Sequence, residues 1–182
     1  MKKKENKFVI NEKVFGIFID RTQIRASVRK LALEINKDYA DKKPLFVIVL
    51  KGSIFFASDL LRMIKLPCDI ETISAKSYGK KMKSSGFVEL CDKKLDVKGR
   101  DVIIIEDIAD TGLTLKTLVE VLNQQKPASI EAVAFLSKPS QRKVEVNVKY
   151  IGIEILPDFV VGYGLDYAEQ GRQLPDIYKL EG

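Results

Sequence analysis

The chain contains no histidine. That absence excludes nucleophilic catalysis of the Ser-His-Asp and Cys-His kinds, and it excludes zinc sites built on imidazole. General acid–base chemistry at neutral pH must fall to carboxylates, lysine or tyrosine. Cysteine is scarce too: Cys68 and Cys91 are the only two and lie in no metal-ligand spacing, so a reduced, cytoplasmic setting is expected. No apolar run approaches the ~18 residues of a membrane span, and no signal-peptide pattern is present. The Gly-x-x-x-x-Gly-Lys-Ser/Thr pattern of P-loop NTPases is missing. Gly162-Tyr163-Gly164 begins like a dinucleotide fingerprint, but Tyr167 stands where the third glycine belongs and no helix follows a strand there.

What remains describes a globular protein. At 182 residues, 46% hydrophobic and 31% charged, the chain suits one well-buried domain and is short for two. Its net charge of +6 favours anionic ligands such as phosphates or nucleic acid. There is no internal repeat, low-complexity tract or linker. The opening Met1-Lys2-Lys3-Lys4 reads as a solvated tail.

Hydrophobic periodicity then lays out an alternation of strands and helices. Phe8 to Ile19 is a mixed apolar segment with room for a short strand. Asp20 with Gln23 forms a capping-box pattern, and Ile24, Val28, Leu31, Ile35 and Tyr39 keep helical spacing. Leu45 to Leu50 is a continuous apolar strand, followed by Lys51-Gly52-Ser53 and a helix from Ile54 to about Ile64. Ile70 to Ser74 is the next strand. Such a βαβ order implies a parallel sheet. Ser77 to Lys94 is lysine-rich and without period, which predicts a long mobile loop. Ile130 to Leu136 gives another strand. Val144, Val146 and Val148 alternate, as do Ile151, Ile153 and Ile155, so one or two further strands are expected. Pro157 to Gly182 is rich in aromatics and turns.

The chemistry concentrates in Val102 to Leu115. Val102-Ile103-Ile104-Ile105 reads as a strand buried on both faces, and Glu106 and Asp107 follow where it would leave its sheet. Asp110-Thr111-Gly112-Leu113-Thr114 is a short polar turn, after which Leu115, Leu118, Val119 and Leu122 mark one apolar face of a helix. A glycine and two hydroxyls at a helix N-terminus make a phosphate cradle. This run resembles the ribose-5-phosphate and pyrophosphate motif of the type I phosphoribosyltransferases, enzymes that use phosphoribosyl pyrophosphate (PRPP).

Other segments read singly as turns, core or surface charge. Taken in order, Leu50-Lys51-Gly52-Ser53, Lys76-Ser77-Tyr78-Gly79, Glu106 to Thr114, Ser137-Lys138-Pro139 and Pro157 to Tyr167 resemble the hypoxanthine-guanine phosphoribosyltransferases from about residue 10 to 178. The resemblance implies an α/β fold with a mostly parallel twisted sheet flanked by helices, and a small hood from the chain ends. It implies purine salvage: transfer of the 5-phosphoribosyl group of PRPP to N9 of hypoxanthine or guanine, with Mg²⁺. By the same resemblance Asp110, Glu106 and Asp107 are catalytic, and residues Asp110, Thr111, Gly112, Leu113 and Thr114 hold the 5-phosphate. Lys51, Gly52, Ser77, Tyr78 and Arg172 meet pyrophosphate, with a non-proline cis peptide at Lys51 and a closing lid at 77–94. Lys138, Phe159, Val160 and Asp166 serve the purine, and Asp166, Glu106 and Asp107 the metal. A cytoplasmic homodimer or homotetramer is implied, with no DNA, RNA or membrane partner.

Two other functions fit parts of the pattern. An RNA-binding transcriptional regulator on the same fold suits the positive charge, but the Phe159–Asp166 segment speaks against it. A receiver domain also carries an apolar strand ending in an acidic pair, but near its start. Here only 76 residues follow Glu106.

Overall fold

A computed structural model describes residues 2–4, 7–77, 88–90 and 95–181. In chain order its strands and helices are β1 (Lys2–Lys4), β2 (Lys7–Ile10), β3 (Lys13–Ile19), α1 (Arg21–Asp38), β4 (Leu45–Leu50), α2 (Ile54–Leu61) and β5 (Asp69–Ser77). They continue with β6 (Val88–Leu90), β7 (Asp101–Ala109), α3 (Leu113–Asn123), β8 (Ser129–Ser137), β9 (Tyr150–Glu154), β10 (Val160–Val161) and β11 (Ile177–Leu180).

The larger sheet has the order β6-β5-β4-β7-β8-β9, and β5, β4, β7, β8 and β9 run parallel. Strand β4 is apolar at every position, and β7 is apolar from Val102 to Ile105, because both faces are covered there. Phe46, Ile48, Ile103 and Ile105 point to the α1 and α2 side, where Ile24, Val28, Leu31, Ile35 and Phe56 meet them. Leu45, Val47, Val49, Val102 and Ile104 point to the opposite side, against Leu115, Leu118 and Leu122 of α3. Helix α1 begins where expected: Asp20 accepts from Thr22 N and Gln23 N, and the Gln23 side chain closes the capping box.

The strand order places the site. From β4 the chain crosses through α2 to β5 on one side, and from β7 through α3 to β8 on the other. Between β4 and β7 the direction of winding reverses, and a crevice opens at the carboxyl ends of these strands, where ligands of open α/β sheets bind. A second, antiparallel sheet, β1-β2-β3-β11-β10, joins both ends of the chain into the expected hood. Phe8, Ile10, Phe15, Val161, Leu174 and Tyr178 form its core.

The structure corrects several local expectations. Lys2–Lys4 is no free tail: it pairs antiparallel with Lys7–Val9. Phe8 to Ile19 is a hairpin of two strands around Asn11 and Glu12, both at positive φ. Helix α2 stops at Leu61, short of Ile64, and β5 runs on to Ser77. Residues 77–94 are not loop throughout, since Val88–Leu90 pairs back onto Ala75–Ser77. The rest of the expected lid, with Tyr78, lies outside the described residues. Val144, Val146 and Val148 form no strand. The place beside β8 is already taken by β9, and Val146 and Val148 pack instead on the α3 side of the core.

Candidate active site

Four segments meet at the crevice between β4 and β7. The first leaves β4 through a cis peptide, Leu50–Lys51. Ser53, fully buried, closes this turn by donating its hydroxyl to the Val49 carbonyl. Gly52 has no space for a side chain: a Cβ there would overlap the Asp107 carboxylate, with Cγ at 2.6 Å. The second segment ends β7. Glu106 is 9% exposed, and among the described residues its Oε2 has no hydrogen-bond partner. Burial, with Asp107 beside it, pushes its carboxyl well above the ordinary value. Burial likewise raises Asp107 to about 6, opposed by the Ile108 N–H, which donates to its Oδ1 at 2.8 Å, and by the Arg172 charge.

The turn from Asp110 to Thr114 leads into α3. Gly112 caps the helix at φ 82 and is packed against Val144 and Val146, so an L side chain fits neither the backbone nor the space. Among the described residues the one side chain at the α3 N-terminus that accepts is Thr111, whose Oγ1 accepts weakly from Leu113 N at 3.4 Å. The remaining amides face the crevice end of the helix, as anion binding requires.

The third segment continues β8. Lys138 is 8% exposed, and its Nζ lies 3.8 Å from Asp110 Oδ2. Asp110 Oδ1 is buried and has no hydrogen-bond partner among the described residues. Arg142, which sequence reasoning passed over, donates from Nη1 to the Asp110 carbonyl at 2.8 Å and from Nη2 to Ser137 Oγ at 3.2 Å. Lys138 N donates to Ala109 O and Lys143 N to Thr111 O, both at 3.0 Å. The turn is thereby tied at Ala109, Asp110 and Thr111 to the segment from Lys138 to Lys143.

The hood supplies the fourth segment. Phe159 remains 47% exposed, flanked by Phe15 and Tyr167, while Val160 is buried in β10. Gly164 packs directly on the Gly52 backbone, where a Cβ would overlap the carbonyl oxygen. Arg172 donates to Gly164 O at 2.8 Å and pairs with Asp166 Oδ1 at 2.8 Å. Asp166 Oδ2 in turn accepts from Glu169 N at 2.8 Å. Of the sixteen residues singled out from sequence, all but Ser77 and Tyr78 fall on these four segments. Ser77 lies at the end of β5.

This corner defines a phosphoribosyltransferase, and comparison with known proteins agrees: a Phosphoribosyl transferase domain model matches residues 19–168. Among curated relatives, a hypoxanthine-guanine phosphoribosyltransferase of Aquifex aeolicus is 38% identical over 94% of this chain and 98% of its own length. That of Dictyostelium discoideum is 44% identical over 91% of this chain and 94% of its own. A crystal structure of a hypoxanthine-guanine phosphoribosyltransferase from Bacillus anthracis superposes with a TM-score of 0.85 at 39% identity, covering 91% of this chain and 98% of that one. The chain belongs to the hypoxanthine-guanine phosphoribosyltransferase family.

Proposed function

We propose that this enzyme transfers the phosphoribosyl group of PRPP to N9 of hypoxanthine and guanine, giving IMP or GMP and diphosphate in purine salvage. One observation carries the choice of base: a buried lysine, Lys138, stands 3.8 Å from the carboxylate on the phosphate turn. An ammonium offers donors only. A 6-oxo purine presents it an acceptor, whereas adenine presents an amino group and sets donor against donor.

The other groups take roles around that pair. The open amides of α3 and the hydroxyls of Thr111 and Thr114 receive the 5-phosphate, with Asp110, Gly112 and Leu113 shaping the turn. Glu106, whose Oε2 lacks a partner, and Asp107 accept from the ribose 2- and 3-hydroxyls. They stand where positive charge grows on the anomeric carbon as its bond to diphosphate breaks and the bond to N9 forms. Asp110 takes the proton that leaves purine N7. Phe159 stacks on the base, and the backbone of Val160 runs beside it. Lys51, Gly52 and Arg172 meet the diphosphate, with Ser77 and Tyr78 on a lid that excludes water.

Magnesium fits this donor set. Among the described residues no group of three or more carboxylates or cysteines is placed to hold a metal alone. Mg²⁺ is commonly held by one or two carboxylates together with substrate phosphates, and Glu106, Asp107 and Asp166 are available for that. When bound, the ion neutralises charge on the departing diphosphate. Among the described residues no helix is long and apolar enough to cross a membrane; a cytoplasmic homodimer or homotetramer belongs to the same proposal, and sedimentation velocity tests the assembly.

The deciding experiment compares kcat/KM for hypoxanthine and adenine. A site built around one hydrogen-bonding group rejects its mismatch by about 10⁴ or more. Adenine within tenfold of hypoxanthine would overturn the reading.

A further inference from the structure

The hood turn beside the diphosphate residues carries a carboxylate that the mechanism does not use. Tyr167 and Gln170 exchange backbone hydrogen bonds at 2.9 and 3.1 Å, and the two residues between them, Ala168 and Glu169, have φ of 51° and 63°. This is a two-residue hairpin turn of the kind that normally takes Asn-Gly. Ala and Glu adopt left-handed backbone only at a steric cost, so the surroundings must hold them there. They do so through Glu169. Its N–H donates to Asp166 Oδ2 at 2.8 Å, its Oε2 pairs with Lys51 Nζ at 3.2 Å, and its Oε1 lies 3.5 Å from Arg172 Nη2. One carboxylate therefore spans the two cations assigned to diphosphate.

We propose that Glu169 is a built-in competitor for the diphosphate group, occupying Lys51 when the site is empty and reclaiming it as diphosphate leaves. The inference rests on the assignment of Lys51 to diphosphate. The partners differ in how readily they yield. Arg172 is three-quarters covered and held by Gly164 O and Asp166 as well, so it stays in place. Lys51 and Glu169 are 73% and 69% exposed, so their pair opens easily. An anion bearing several charges outbids a single carboxylate for Lys51, and Glu169 then turns outward to water. The contact lowers affinity for diphosphate and for PRPP alike, and it shortens the residence of the product.

A double-mutant cycle on the intact enzyme tests this. Dissociation constants for PRPP and inhibition by magnesium diphosphate are measured for wild type, Glu169→Gln, Lys51→Ala and the double variant, at low and high salt. Glu169→Gln should tighten both ligands threefold or more at low salt, and this gain should fall below 1.5-fold when Lys51 is alanine. An equal gain in both backgrounds would mean a general field effect and would overturn the proposal. So would weaker or unchanged binding in Glu169→Gln, if Lys51→Ala alone weakens diphosphate. Unchanged affinity in both single variants would instead refute the assignment of Lys51 to diphosphate.

Discussion

Replacing Gly162 with alanine tests whether the Phe159–Val161 segment, proposed to meet the base, depends on how closely the hood packs behind it. Gly162 follows Val160–Val161 directly and has φ of 101°, which an L residue adopts only at a cost of ~1–2 kcal/mol. A Cβ there would overlap the Asp176 carbonyl oxygen and stand 3.2 Å from its carbon and 3.4 Å from Leu174 Cβ. Close-packed backbones cannot absorb this, so the two segments must part by on the order of 1 Å. Asp176 has little freedom to follow. It is 4% exposed, and its carboxylate accepts from Arg21 N at 2.8 Å, Nη2 at 3.0 Å and Nε at 3.2 Å, and from Tyr178 OH at 3.4 Å. Losing one charge-assisted bond of this kind costs ~1.5–3 kcal/mol. With the backbone contribution the loss comes to about 3–5 kcal/mol, which at ~2–4 °C per kcal/mol for a chain of this size lowers Tm by roughly 6–20 °C. Calorimetry measures it, and KM for hypoxanthine at saturating PRPP should rise in the same variant. Gly99→Ala is the control: its φ is 68° and nothing lies within 4 Å of the added Cβ, so only the backbone cost remains. If Gly162→Ala melts within 2 °C of wild type, the close approach does not govern the hood.

Three further outcomes are expected. Asp110→Asn keeps the size of the side chain but cannot take a proton, so kcat should fall ~10²–10⁴-fold with the PRPP dissociation constant nearly unchanged; kcat within threefold of wild type refutes the assignment. Arg142→Ala frees the Asp110 carbonyl and Ser137 Oγ, so KM for PRPP should rise and kcat fall together, and Arg142→Lys, which cannot span both acceptors, should restore little. For Asp176, burial pushes the carboxyl up but the Arg21 bonds outweigh it, so its pKa lies below the ordinary value. A depressed folded-state pKa contributes stability above the unfolded value of ~3.9 that is lost as pH falls further. Urea titrations should therefore show the gap between wild type and Asp176→Asn narrowing below about pH 4, and a gap that widens there would reverse the argument.

The parallel core and the Asp110–Thr114 turn into α3 were legible because each rests on local signals. Four β-branched residues mark a strand covered on both faces, and Leu115, Leu118 and Leu122 mark the single face that α3 buries. Periodicity misread Val144 to Val148 for a physical reason. An extended segment with alternate residues half-buried has the same period as a strand, whether or not a sheet edge is free to pair with it. The hood hairpin was hidden for the opposite reason. Its turn is Asn11-Glu12, with positive φ at a glutamate, and Gly16 lies inside a strand rather than at the turn.

Arg142 and Glu169 were invisible in sequence because their importance is a matter of aim. An arginine five residues after a strand and a glutamate in a turn are ordinary surface residues by composition. What distinguishes Arg142 is that its guanidinium fork matches two acceptors on different segments, one from the Asp110–Thr114 turn and one from the end of β8. What distinguishes Glu169 is a left-handed backbone that turns an acidic side chain toward Lys51, 118 residues away in sequence. Neither arrangement has a period or a spacing. Both arise where segments from distant parts of the chain come together at the crevice between β4 and β7. There the winding rule fixes where a ligand sits, while the contacts around it depend on the whole fold.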